Sequence, residues 1–209
     1  MMTLEQALSE CGIIAILRGV TPDEVAAVAQ VLYDEGVRVV EVPLNSPEPF
    51  LSIEKLAKTF AGRMVVGAGT VLSVQDVNML KAHGGQISIS PNCFEAVIAH
   101  AIELGLEPLP GVFTPTEAFA AIRAGAKHLK LFPAEVASPA VIKAWKAVLP
   151  KHVHIYAVGG VTPENMSQWL SAGASGFGIG SSLYKPGSNL AKVRESAHSL
   201  VSAWKHAKG

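Results

Sequence analysis

Short apolar runs rich in β-branched residues recur every 21 to 26 positions along the chain, and each leads into a stretch whose apolar residues return at helical spacing. That alternation predicts stacked β-α units. The runs are residues 13–19 (IIAILRG), 39–44 (VVEVPL), 65–70 (VVGAGT), 86–91 (QISISP), 107–112 (EPLPGV), 128–133 (HLKLFP), 154–160 (HIYAVGG) and 176–182 (GFGIGSS). Near-continuous apolar strands alternating with helices imply a parallel sheet covered on both faces, and eight evenly spaced units predict a closed (β/α)8 TIM barrel. An open doubly wound sheet is the alternative. It would want a Gly-rich dinucleotide turn, but Gly67-Ala68-Gly69-Thr70 lacks the third glycine and has no suitably placed acid after it.

Helix starts carry a recurring device, Ser or Thr at the N-cap followed by Pro and often an acid. It occurs at Thr21-Pro22-Asp23-Glu24, Ser46-Pro47-Glu48, Thr114-Pro115-Thr116-Glu117, Ser138-Pro139 and Thr162-Pro163-Glu164. Gly36, Gly84, Gly105, Gly125 and Gly173 fall where a left-handed residue would end each helix. This regularity leaves no linker, so residues 1–209 are expected to form one domain.

Composition narrows the function classes. A chain of 209 residues with 49% hydrophobic content can build one sizeable core, burying roughly 70% of the surface it exposes when unfolded. Seventeen basic and seventeen acidic residues give no net charge, which argues against nucleic acid or an anionic membrane as partner. The N-terminal MMTLEQALSECG has no basic region and leads into no apolar run of bilayer length, so a cytoplasmic protein is expected. Cys11 and Cys93 are read as reduced thiols.

In a barrel of this kind chemistry sits at the C-terminal ends of the strands. Three ionisable residues interrupt apolar runs there: Arg18 after Ile14-Ala15-Ile16-Leu17, Glu41 within Val39-Val40-Glu41-Val42-Pro43, and Lys130 within His128-Leu129-Lys130-Leu131-Phe132-Pro133. A buried charge is costly, so its presence calls for a reason. One is a structural Lys-Glu pair joining two strands. The other is chemical: desolvation and a neighbouring cation, which Arg18 could supply, lower a lysine toward neutrality, and the free amine attacks a carbonyl. The protonated imine is an electron sink for cleavage at the next carbon, and Glu41 is suited to move the protons directly or through one water.

The last two runs end in Gly159-Gly160-Val161-Thr162-Pro163 and Gly180-Ser181-Ser182. Backbone N–H groups at Gly-rich turns suit an anion, and barrels frequently hold phosphate there. His152-Val153-His154 suggests two metal ligands, but the pair opens a strand at the opposite end and has no third partner, so no metal is expected. Trp145, Trp169 and Trp204 read as packing residues within helical segments.

Taken together, these motifs resemble the 2-keto-3-deoxy-6-phosphogluconate and 2-keto-3-deoxy-6-phosphogalactonate aldolases over essentially the whole chain. The most specific segments are Glu41-Val42-Pro43-Leu44-Asn45-Ser46-Pro47, Gly67-Ala68-Gly69-Thr70-Val71-Leu72, Ser90-Pro91-Asn92, Lys130-Leu131-Phe132-Pro133-Ala134 and Ala157-Val158-Gly159-Gly160-Val161-Thr162-Pro163-Glu164-Asn165. The resemblance implies a class I aldolase with Lys130 as the Schiff-base residue and Glu41 as the acid/base. It implies that Arg18 contacts the pyruvate carboxylate in a pocket with Thr70, Pro91 and Phe132. Gly159, Gly160, Gly180 and Ser181 match the phosphate turns. It further implies a homotrimer without cofactor or metal, cleaving a six-carbon 2-keto-3-deoxy-6-phospho acid to pyruvate and glyceraldehyde 3-phosphate.

Two positions bear on the substrate epimer. Asn45 and Val158 stand where the gluconate branch typically carries Arg and Thr, so the pattern looks like the galactonate branch. A Thr hydroxyl can hydrogen-bond a sugar hydroxyl and a Val methyl cannot. The alternatives are the gluconate substrate or dual specificity, a phosphosugar isomerase or synthase on the same barrel, and a non-catalytic sugar-phosphate-binding barrel.

Overall fold

The computed structural model describes residues 2–208. Its strands are β1 (Ile13–Ile16), β2 (Val39–Pro43), β3 (Val65–Gly69), β4 (Ile87–Ile89), β5 (Glu107–Leu109), β6 (Gly111–Val112), β7 (His128–Leu131), β8 (His154–Val158) and β9 (Gly176–Ile179). All pair in parallel, in the order β5-β4-β3-β2-β1-β9-β8-β7-β6. The ninth strand is a division of the fifth run. Pro110 has no N–H for a ladder, so the run breaks there. Its first half pairs with β4 and its second with β7, and the barrel closes through this one segment.

Helices α1 (Leu4–Glu10), α2 (Val25–Glu35), α3 (Pro49–Thr59), α4 (Val74–Ala82), α5 (Glu95–Glu103), α6 (Pro115–Arg123), α7 (Pro139–Lys146), α8 (Met166–Ser171) and α9 (Leu190–Lys208) complete the fold, with a single 3-10 turn at Ala134–Val136. None of them is long and apolar enough to cross a membrane. The expected glycine stops hold: Gly36, Gly84, Gly105, Gly125 and Gly173 all have positive φ. Trp145, Trp169 and Trp204 are buried packing residues, Cys11 is buried, and Cys93 is half-buried.

The expected Ser/Thr-Pro starts divide. Thr114 caps α6 with a full capping box, and Ser138 occupies the cap of α7 without a side-chain bond. The other three lie ahead of their helices. Thr21 and Thr162 open turns whose helices begin at Val25 and Met166, and α3 is preceded by Glu48 at φ 39, not by Ser46. Ser46 instead accepts a bond from the Gly19 N–H at 2.9 Å, tying the turn after β2 to the turn after β1.

Alternation along the strands sorts the side chains. Ile13, Ala15, Val40, Val42, Val66, Ala68, Leu129, Leu131, Ile155 and Ala157 join the layer between sheet and helices. Ile14, Val39, Val65, Ile87, Ile89, Leu109 and Tyr156 belong to a second cluster with Leu4, Ala7 and Leu8 of α1. This second set fills the lower barrel, and α1, a helix with no counterpart among the sequence-based expectations, closes it from below. Period-two alternation then carries Glu41 onto the same inward face as Val39, and Val158 onto that of Tyr156.

Candidate active site

The upper barrel opens into a cavity of about 630 Å³. Lys130, Glu41, Arg18, Thr70, Pro91, Phe132, Val158, Gly159, Gly160, Gly180 and Ser181 all line it. Seven segments of chain therefore deliver these side chains to one place.

Two charged side chains form its floor. Glu41 is 2% exposed and Lys130 8%. Burial drives Glu41 up to about 7, against the opposing pull of the Lys130 and Arg18 charges and a backbone hydrogen bond from Gly69. Lys130 is held below the ordinary lysine value, first by burial and also by the Arg18 cation, while Glu41 acts the other way. Oε2 of Glu41 is buried without a hydrogen-bond partner. Both side chains line the same cavity, near enough for the charge of each to act on the other. The Lys130 Nζ lies 4.4 Å from the centroid of the Phe132 ring, an arrangement that stabilises the cationic form through the ring face.

The walls follow from the turns that end the strands. Thr70, directly after β3, has φ 60. A β-branched residue in the left-handed region is strained by about 1–3 kcal/mol, and such strain concentrates at functional sites. Arg18 reaches from the exposed rim, where its Nη1 donates to Oδ1 of Asn45 at 2.6 Å. Asn45 itself is exposed and is not among the residues that line the cavity; the turn after β2 holds its side chain against the Arg18 guanidinium.

The turns after β8 and β9 form the next stretch of wall, beside β1. Gly159 and Gly160 have φ 109 and 67, and Asn165 braces their turn, its Nδ2 donating to the Gly160 carbonyl at 2.9 Å and its Oδ1 accepting from the Thr162 N–H at 3.0 Å. At the end of β9 the Gly180 carbonyl accepts from the Leu183 and Tyr184 N–H groups at 2.8 and 3.0 Å, which makes a helical first turn. The leading N–H groups of such a turn, those of Ser181 and Ser182, have no partner within it and can receive an oxyanion.

The cavity also includes residues to which the sequence analysis gave no site role, among them Ile16, Glu135, Tyr184 and Lys185. Ile16 was within reach of strand parity. Tyr184 was not, because nothing in its local pattern reveals a hydroxyl buried without a partner.

At the other end of the barrel His154, of the His152-Val153-His154 motif, lies apart from this chemistry beside His128. His128 and His154 stack with centroids 5.3 Å apart, and Nδ1 of His128 is 3.1 Å from the Tyr156 hydroxyl. Among the described residues no cluster of three or more His, Cys, Asp or Glu could hold a metal ion.

The chain is 44% identical over 195 residues to the 2-dehydro-3-deoxy-6-phosphogalactonate aldolase of Escherichia coli (strain K12), covering 93% of this chain and 95% of that one. A solved structure described as native KDPGal superposes with a TM-score of 0.92 at 44% identity, over 94% of this chain and 95% of its own. A cube-shaped protein cage, designed by fusing symmetric oligomeric domains, matches with a TM-score of 0.93 at 44% identity, over 94% of this chain and 73% of the cage subunit. The family model for KDPG and KHG aldolases matches residues 4–195, and the chain, a parallel barrel with a buried lysine and a buried glutamate in its upper cavity, belongs to the KDPG and KHG aldolase family.

Proposed function

We propose that the protein is a Schiff-base aldolase that cleaves 2-dehydro-3-deoxy-6-phosphogalactonate to pyruvate and D-glyceraldehyde 3-phosphate. The observation that carries this reading is the buried Lys130 amine, held toward neutrality, facing the same cavity as a buried carboxyl held up to about 7. The amine adds to the C2 carbonyl of the substrate, and loss of water gives a protonated imine. The C3–C4 bond then breaks: its electrons pass into the imine to form an enamine, and the C4 hydroxyl proton leaves as that carbon becomes the aldehyde. Glu41, directly or through a water, takes that proton and later returns one to C3, after which hydrolysis of the imine releases pyruvate. Arg18 pairs with the substrate carboxylate, Thr70, Pro91 and Phe132 bound the pyruvate end, and Gly159, Gly160, Gly180 and Ser181 take the phosphate.

The galactonate assignment is supported by the names of the full-length relatives and by Val158, which gives the wall methyl groups and no hydroxyl. The chain acts as one domain spanning residues 1–209, and it works in the cytoplasm, a location supported by its two free cysteines. It assembles as a homotrimer. Exposed Phe94, Phe113 and Phe119, on neighbouring elements after β4, after β6 and on α6, supply an apolar contact surface, and the matched cage is built from symmetric oligomeric domains. Light scattering on the purified protein checks the trimer.

Borohydride reduction in the presence of pyruvate tests the chemistry. The expected product is one covalent adduct on Lys130, found by mass after digestion. Cleavage of the phosphorylated acid without any trapped adduct would remove the imine mechanism.

A further inference from the structure

The wall beside Val158 carries a carboxylate that the reaction so far leaves without a task. Glu135 lies five positions beyond Lys130, on the 3-10 turn Ala134–Val136 that returns the chain over the mouth of the barrel, and it lines the cavity. The turn packs against the end of β8 closely enough to dictate its sequence. A Cβ at Gly160 would stand 2.8 Å from the Glu135 Cβ, and one at Gly159 would stand 3.3 Å from the Ala134 N and 3.4 Å from Oε2 of Glu135. The carboxylate therefore lies along the Gly159 backbone, next to the wall that Val158 completes. Among the described residues no side-chain hydrogen bond or ion pair holds it.

We propose that Glu135 is a specificity-determining residue whose carboxylate accepts hydrogen bonds from the hydroxyl groups of the substrate beyond the pyruvate fragment. This rests on the aldolase reading above. Val158 offers that region methyl groups only, and its Cγ2 is turned toward β9, where a Cβ at Gly178 would stand 2.7 Å away. The backbone N–H groups of the glycine turns are donors and suit phosphate. A polyhydroxylated chain between pyruvate and phosphate also needs an acceptor, and an unpaired carboxylate at the wall supplies a charged one.

The test compares wild type, Glu135→Gln and Glu135→Leu with the two C4-epimeric 2-dehydro-3-deoxy-6-phospho acids. It reads kcat/KM for each, together with pyruvate methyl-proton exchange and borohydride trapping of pyruvate. Glu135→Leu is expected to lose about 10- to 100-fold in kcat/KM for the better epimer, the range for a hydrogen bond to a charged group, and the ratio between epimers should fall toward one. Glu135→Gln keeps an acceptor oxygen and should fall between. Exchange and trapping use only the pyruvate end and should stay within about twofold, which also shows that both variants fold. An unchanged epimer ratio in Glu135→Leu would overturn the proposal, as would parallel loss of pyruvate exchange in both variants. Failure of the wild type to trap pyruvate would instead strike the aldolase reading itself.

Discussion

Oε2 of Glu41 occupies the space a side chain would need at Gly69: a Cβ built there would stand 2.2 Å from that oxygen and 2.5 Å from the carboxyl carbon. The two residues belong to paired strands, with Glu41 opposite Gly67 and Pro43 opposite Gly69. The missing side chain at the end of β3 is what lets a carboxylate lie flat over the barrel floor.

Gly69→Ala should therefore push the carboxylate aside with little change in the fold. The expected loss is about 100-fold in kcat/KM, as for misplacement of a reacting group by a fraction of a bond length. Pyruvate methyl-proton exchange should fall in parallel, whereas an alanine variant exchanging at the wild-type rate would show that the carboxylate position does not matter.

Burial raises Glu41 from 4.5 to about 7, so the native state holds its proton between those values more tightly than the unfolded chain does. The carboxyl thus contributes stability below about pH 4.5 that is lost as pH rises through 7. Glu41→Gln should be more stable than wild type at about pH 8, by about 1–3 kcal/mol, and show no such gain at about pH 5. The same substitution should cost about 100- to 10,000-fold in turnover and erase the acidic limb near pH 7 in the wild-type profile. Denaturant titrations at both pH values and a kcat/KM profile decide the matter.

His128 works in the opposite sense. It is 2% exposed, and burial together with the neighbouring His154 and Lys127 charges lowers it from 6.5 to about 4. The unfolded chain takes up a proton below 6.5 that the native state refuses, so stability falls as pH drops from about 6.5 to 4, by about 3 kcal/mol. His128→Phe should flatten that part of the curve. An unchanged slope would assign the acid sensitivity elsewhere.

Val158→Thr places a hydroxyl on the wall beside the glycine turn. The better wild-type substrate is expected to be the galactonate epimer, and the variant should gain about tenfold in kcat/KM for the gluconate epimer relative to it. Coupled assay of pyruvate release from both acids measures the ratio. Equal wild-type rates for the two acids would defeat the galactonate assignment.

Much of this was legible in the chain because strands and helices are local and their signals periodic. The apolar runs located the strands, the glycine stops located the helix ends, and two charges inside apolar runs, Glu41 and Lys130, pointed to the site because buried charge is too costly to leave without purpose. Helix starts were less legible. Ser46 carries the pattern of a cap, yet its hydroxyl is taken by the Gly19 N–H of another loop, a competition that local sequence cannot display.

What only the tertiary structure decided lies between segments remote in sequence. That Asn45 meets Arg18 rests on a 2.6 Å contact across two loops. That Glu135 crosses over Gly159 depends on a turn folding back across the next strand. The amino-acid order determines which side of a strand a residue faces, because alternation is fixed by backbone geometry. The distances that turn those faces into one cavity come from closing the barrel, a property of all nine strands at once.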